Sequence, residues 1–159
     1  MTDAYIHQLN LSRGGVPKTP VERAELTTEG LAGDVQTDRR YHGGPDRALC
    51  LFPLELIEAL QSEGHAIHPG STGENLTIAG LDWSGLVPGS RLALGEEVLI
   101  EITSYAAPCR TIAGSFRGGD SKRISQKLHP GQSRLYARVL REGRLAPGQP
   151  VRVIGNDEL

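Results

Sequence analysis

Apolar residues recur along this chain in short alternating runs, separated by glycine and proline. Ala4–Leu11 alternates loosely and predicts a first strand, and Val21–Leu26 a second, closed by the turn-rich Thr28-Glu29-Gly30. Ala48–Phe52 is continuously apolar, the pattern of a short buried strand, and it feeds directly into the best helical pattern, Pro53–Leu60. There Pro53 suits the first turn, Leu56, Ile57 and Leu60 share one face, and Gly64 is placed to stop the helix. Leu76–Ile78, Arg91–Leu94 and Val98–Thr103 return to strand patterning between glycine-bearing turns, with Val98, Ile100 and Ile102 on one face. Leu135–Leu140 predicts a strand with Leu135, Ala137 and Val139 inward and Tyr136 and Arg138 outward. After turns at Gly143 and Pro147-Gly148, Val151–Ile154 closes the chain, and Ser121–Leu128 offers a second, short polar helix. About eight short strands and one or two short helices predict a mainly β, Greek-key or barrel-like fold. No linker or repeat divides it, so residues 1–159 read as a single domain with a core from about 4 to 154.

Composition sharpens this picture. The 20 glycines and 10 prolines among 159 residues are too many for a helical bundle and are spread as turn punctuation. Seventeen Lys and Arg against 19 Asp and Glu leave a net charge of −2, which argues against a dedicated nucleic-acid binder. No apolar run approaches the roughly 18 residues of a membrane-spanning helix, and the N-terminus lacks a signal-peptide pattern, so a cytoplasmic protein is expected. Two cysteines, Cys50 and Cys109, cannot build a disulfide scaffold and leave any metal site short of thiols.

Three polar segments carry candidate chemistry. In Asp38-Arg39-Arg40-Tyr41-His42-Gly43-Gly44-Pro45-Asp46-Arg47, paired glycines permit close backbone approach to a ligand. His42 stands among Arg39, Arg40 and Arg47, a setting for an anion, with Asp38 or Asp46 able to fix its tautomer. The same residues also read as a solvated loop whose charges pair with one another. Gly70-Ser71-Thr72-Gly73-Glu74-Asn75 can expose successive backbone N–H groups as an anion-binding nest, and the Asn75 amide suits the edge of a heterocycle. It reads equally as a turn entering the strand at Leu76. In Ser104-Tyr105-Ala106-Ala107-Pro108-Cys109-Arg110-Thr111, Pro108 places Cys109 at a turn beyond a strong strand. Arg110, with Arg117, Lys122 and Arg123 further on, puts positive charge near a thiol that can act as nucleophile or soft metal ligand. Cys50, inside Ala-Leu-Cys-Leu-Phe, reads instead as an inert buried cysteine. Other chemistries lack their signatures: there is no G-x-S-x-G, P-loop or G-x-G-x-x-G. His65 and His68 fall after the helix stop, with no further ligand close by.

Taken in order, these segments resemble the MOSC domain, named for the C-terminal domain of molybdenum cofactor sulfurases. The likeness rests on GDVQTDRRYHGGPDRALCLFP, then GSTGENLTIAGLD, the Gly-Ser-Arg-Leu-Ala-Leu-Gly hairpin, Pro108-Cys109 after a strand, and Leu135–Leu140 with Gly143 and Pro147-Gly148. The resemblance implies a barrel-like β fold with a strand-end cysteine facing a cleft. It implies molybdenum cofactor as the ligand, with Cys109 as the metal ligand or sulfur carrier. Asn75 and Gly73 would contact the cofactor, together with Arg110. His42, with Arg39 or Arg47, would hold its phosphate or position a substrate, and His42 would donate a proton.

Two functions follow from the resemblance. One is a reductase of N-hydroxylated compounds supplied with electrons by an external redox partner. The other is a non-redox sulfur carrier or cofactor-binding module, with a persulfide on Cys109 received from a sulfur donor protein. The chain holds no pyridoxal-phosphate desulfurase and no iron–sulfur domain, so either reaction requires partners or self-association. No role for nucleic acid or membrane is expected.

Overall fold

A computed structural model describes residues 3–35 and 44–155. Strands β1 (Tyr5–Leu11), β2 (Thr19–Val21), β3 (Ala24–Thr27), β4 (Gly30–Leu31) and β5 (Leu49–Pro53) precede helix α1 (Leu54–Ser62). Then come β6 (Leu76–Ala79), β7 (Arg91–Leu94), β8 (Val98–Ala106), β9 (Arg134–Arg141), β10 (Gly143–Leu145) and β11 (Val151–Ile154). Eight strands form one sheet in the order β11-β7-β8-β9-β5-β6-β1-β2, and β10-β3-β4 form a small second sheet.

The fold is mainly β as expected, but neither sheet is a closed barrel. Strand β1, next to the β2 edge, meets the segment entering β11 at the opposite edge through one bridge, Tyr5 to Pro150, beside hydrogen bonds from Ile6 N–H to Gln149 and from Val151 N–H to Ala4. The segment Val21–Leu26, expected as one strand, is split between the two sheets as β2 and β3. Ser121–Leu128 is not a helix; only Ser121–Ile124 winds, as a 3-10 turn. Gly143 opens β10, which pairs with β3, rather than marking a turn alone. No helix among the described residues is long and apolar enough to cross a membrane.

All ladders in the large sheet are antiparallel except β5–β6. A parallel pair requires a crossover connection, and α1 supplies it. Pro53 ends β5 and caps α1, Ile57 and Leu60 are buried, and Gly64, at φ +95°, terminates the helix where a side chain would be strained. Strand β5 is buried on both faces. Leu49 and Leu51 enter the main core with Ile6, Leu76, Ile100 and Leu135, whereas Phe52 points the other way, into a second cluster with Ile57, Leu60, Ile112, Phe116 and Ile124. That second cluster seats α1 and the turns of residues 110–124 on the outer face of the sheet. Cys50, Ala106 and Tyr136 form a small third cluster.

A β-bulge decides what this outer face presents. Val98, Ile100 and Ile102 point into the core as the alternation predicts, and Ile102 pairs with Ala137. The register then slips by one residue, so that Ser104 faces Tyr136, Tyr105 faces Leu135 and Ala106 faces Arg134. Past the bulge it is therefore Tyr105 that packs on the core, while Ser104 and Ala106 turn outward.

Candidate functional site

The bulge assembles three rows on the outer face of β5, β9 and β8: Glu101 beside Arg138, then Ser104 beside Tyr136 and Cys50, then Ala106 beside Arg134. Successive rows along a strand stand two residues, roughly 7 Å, apart. Beyond the last row β8 ends, and the chain turns at Pro108 into Cys109 and a 3-10 segment, Arg110–Ser115.

The two thiols differ sharply. Cys50 is buried, and that burial pushes its thiol up to about 11, with the charge of Arg134 opposing the shift. It is therefore a protonated, inert group at neutral pH. Cys109 is partly exposed, with its sulfur 2.7 Å from the Thr111 hydroxyl. Arg110 follows it on the surface, but Arg123, expected to add charge nearby, is taken up by a bidentate pair with Glu63 at 2.9 and 2.8 Å.

Arg134 is the most constrained cation on this face. Only 3% exposed, it donates from Nη1 to the Thr72 carbonyl at 2.7 Å and from Nη2 to the Ala107 carbonyl at 3.1 Å, while its Nε has no partner. It thereby ties the Gly70–Glu74 loop to the turn that carries Cys109. Arg47 lies over the Tyr136 ring, 5.5 Å from its centroid. Burial drives the Tyr136 phenol well above its ordinary range, reinforced by the thiols of Cys50 and Cys109 and opposed by Arg134 and Arg47.

The loop read as an anion nest spends its N–H groups within the protein: those of Ser71 and Gly73 bond the His68 and Gly70 carbonyls, and that of Gly70 meets Glu74. Glu74, fully buried, folds back so that its carboxylate accepts the Gly70 N–H at 3.0 Å and the hydroxyls of Thr72 and Thr77 at 2.9 and 3.0 Å. Burial raises this carboxyl above its ordinary value, against those bonds. Gly73 takes φ +85° and donates its N–H to the Gly70 carbonyl. At Gly70, φ is +88° and a Cβ would stand 2.3 Å from the Lys18 carbonyl oxygen, so only glycine fits.

Asn75 is likewise absorbed into the fold. Its Oδ1 accepts the Cys50 N–H at 3.0 Å, and its Nδ2 donates to the Asn10 carbonyl at 3.3 Å and to Asp34 at 3.0 Å. Asp34 is held in turn by Lys18 at 2.7 Å. Asn75 thus positions β5 and the start of β6 behind the site, and its amide is not turned to a heterocycle. His42 and Arg39 lie outside the described residues. Arg134, Thr111 and the filling of the nest by Glu74 escape sequence reasoning; the available signal was an arginine on the same alternation as Tyr136, two residues before it.

The face thus offers one partly exposed thiol, Cys109, just past the end of a bulged strand, with the buried Arg134 guanidinium bonded to the carbonyl two residues before it. Among the described residues, no group of three or more His, Cys, Asp and Glu side chains is placed to hold a metal ion by itself. A profile of the MOSC domain matches residues 38–152, and the chain belongs to that family.

The uncharacterized protein YflK of Bacillus subtilis is 32% identical over 146 residues, covering 91% of this chain and 65% of that protein. YiiM of Escherichia coli is 29% identical over 161 residues, covering 96% of this chain and 70% of that protein. The chain thus spans about two thirds of the length of both. The crystal structure of YiiM from Geobacillus stearothermophilus superposes with a TM-score of 0.76 at 26% identity, covering 96% of this chain and 75% of that one. The YuaD protein of Bacillus subtilis gives the same TM-score at 15% identity over 96% of each chain, a likeness of fold alone.

Proposed function

We propose that the protein holds a molybdenum cofactor on this outer face and reduces N-hydroxylated compounds with electrons from an external redox protein. The observation that carries the reading is the partly exposed thiol of Cys109, three residues past the end of the bulged strand, where the other thiol, Cys50, is buried. Its environment suits the group: one protein sulfur is offered where a dithiolene-bearing cofactor brings the other soft donors. Arg134 bonds two carbonyls, but its buried Nε has no acceptor, which leaves one charge-bearing donor for an anionic group. When bound, the cofactor supplies the two-electron chemistry and the protein orients the reactants. The overall change, N–OH plus two electrons and two protons to N–H plus water, requires a proton source, and His42 takes that role in the proposal. Arg47, with Arg39 and Arg110, provides positive charge for the cofactor's anionic part. Asn75 and Gly73 act one step behind, holding the loop against which Arg134 bonds.

The test is metal analysis of protein purified without oxygen from a host that makes the cofactor. Molybdenum near one per chain in the wild type, retained in Cys50→Ser and absent from Cys109→Ser, is the expected result. Loss of metal from Cys50→Ser with retention in Cys109→Ser overturns the assignment. Absence of metal and pterin throughout, with one added sulfur on Cys109 by mass spectrometry, replaces the reductase by a sulfur carrier fed by a donor protein.

A further inference from the structure

Two segments meet past the end of the bulged strand, the Gly70–Glu74 loop and the turn that carries Cys109, and they are joined on both sides of the thiol. Before it, Arg134 reaches the Thr72 carbonyl from Nη1 at 2.7 Å and the Ala107 carbonyl from Nη2 at 3.1 Å. After it, the Ser115 hydroxyl donates to the Ser71 hydroxyl at 2.9 Å. Arg134, Ser71, Thr72 and Ser115 are all buried, at 8% exposure or less. The stretch between the two joins meets solvent: Arg110 and Thr111 are exposed and Cys109 is partly so.

The loop is the firmer of the two. Glu74 ties it together through the Gly70 N–H and the hydroxyls of Thr72 and Thr77, and Asn10 Nδ2 donates to the Glu74 carbonyl at 3.2 Å, which fixes it to β1 and β6. The turn has less support of its own. Strand β8 ends at Ala106, Pro108 has no N–H to donate, and the Cys109 carbonyl accepts long bonds, from the Ile112 N–H at 3.3 Å and the Ser121 hydroxyl at 3.5 Å. Pairing of Arg134 with Ala106 sets the guanidinium level with the strand end. Its planar fork fixes the direction of both donors, so it can hold two carbonyls of different segments at a set separation.

We propose that Arg134 is the positioning residue for Cys109, with Ser115 as a second pin, and that the two hold the thiol in one seat against the Gly70–Glu74 loop. While both pins are closed, the sulfur meets only what fits that seat, so the pair sets the size of the groups that reach it. The use of the seat by a cofactor rests on the reading of function above; the seat itself rests on the bonds on either side of Cys109 and requires no metal.

The probes are N-methylmaleimide and N-phenylmaleimide, neutral reagents with one reactive ring and different bulk. They are reacted with cofactor-free protein at neutral pH, and peptide mapping assigns the label to Cys109. The ratio of the two rates cancels the thiol's own reactivity, which loss of a nearby cation also shifts. Wild type is expected to disfavour the phenyl reagent relative to free glutathione. Arg134→Met is expected to raise the phenyl-to-methyl ratio about three- to tenfold, the effect of one lost hydrogen bond on a local opening. Arg134→Lys, which keeps the charge without the fork, and Ser115→Ala are expected to give smaller rises. Leu145→Ala, in the main core on β10, is expected to lower the urea midpoint and leave the ratio at the wild-type value. A wild-type ratio equal to that of glutathione, an unchanged ratio in Arg134→Met, or an equal rise in Leu145→Ala overturns the inference. If Arg134→Met does not fold, unchanged ratios in Arg134→Lys and Ser115→Ala overturn it. In protein from the cofactor-making host, Arg134→Met is expected to retain less molybdenum than wild type. Absence of molybdenum from the wild type with the ratios as expected removes the reductase reading and leaves the pinned seat.

Discussion

Asn75→Ala separates a positioning residue from a ligand-contacting one. The side chain is 1% exposed and makes three internal hydrogen bonds. Truncation strands the Cys50 N–H in the sheet interior, at a cost of about 1–3 kcal/mol for an unsatisfied buried donor. It also removes a bond to the Asp34 carboxylate, about 1.5–3 kcal/mol for a charged acceptor. The Asn10 carbonyl loses the longest contact, 3.3 Å, which adds least. Together the loss is about 3–5 kcal/mol, a large share of the 5–15 kcal/mol typical of a domain. Urea unfolding followed by far-ultraviolet dichroism checks it, and the midpoint should fall with an unchanged slope. Asn75→Asp keeps an acceptor for Cys50 but sets a second carboxylate 3.0 Å from Asp34, so it should be at least as damaging as alanine near neutral pH and partly recovered at acid pH. A loss below about 1 kcal/mol for Asn75→Ala, against the sum of terms above, would refute the reasoning and return the amide to the list of ligand contacts.

Two further outcomes follow from burial. At pH 8 iodoacetamide should label Cys109 within minutes to hours and leave Cys50 untouched until denaturant is added, because burial holds the Cys50 thiol at about 11; peptide mapping reads this, and native labelling of Cys50 would contradict the fold around Tyr136. Glu74 carries a raised carboxyl in the folded state, so above the unfolded value near 4.5 the unfolded chain releases a proton that the folded one keeps. Its contribution to stability therefore declines as pH rises through that window, and the wild type minus Glu74→Gln difference in unfolding free energy should show this negative slope.

Much of the architecture was legible because alternation and punctuation agree. Arg91–Leu94 and Val151–Ile154 are found at the expected residues, and α1 lies within two residues of its expected bounds. Closure was not legible, because sequence period says nothing of which strands meet; here β1, inside the β2 edge, touches the segment entering β11 at a bridge. The site was harder still. Alternation placed Tyr136 outward, which is correct with respect to the main core, yet the ring is only 7% exposed because Cys50 and Ala106 cover it. The bulge at Thr103 reverses which residues of β8 face outward, and a one-residue slip leaves no mark in a strand whose residues past the slip are Ser, Tyr and Ala. Gly70–Gly73 looked like a nest, but only the Gly70 N–H is turned to an acid, the protein's own Glu74, whose direction no local pattern reveals, while the Ser71 and Gly73 N–H groups bond backbone carbonyls.

The distribution of made and unmade bonds is the strongest structural argument about function. Behind the outer face nearly every polar group is satisfied: Glu74 accepts from three donors, Asn75 makes three bonds, and Lys18 closes on Asp34. In front, the buried Arg134 Nε lacks an acceptor. A protein that needed only stability would gain by exchanging a buried arginine without a counter-charge for an apolar residue. Keeping Arg134 makes sense when its two carbonyl bonds hold the loop at Thr72 and the turn at Ala107 in fixed register, because the thiol two residues further on inherits that register. Rigid support behind and an unsatisfied buried donor ahead fit a preorganised site, and in this chain that donor, Arg134 Nε, stands beside the end of the bulged strand β8.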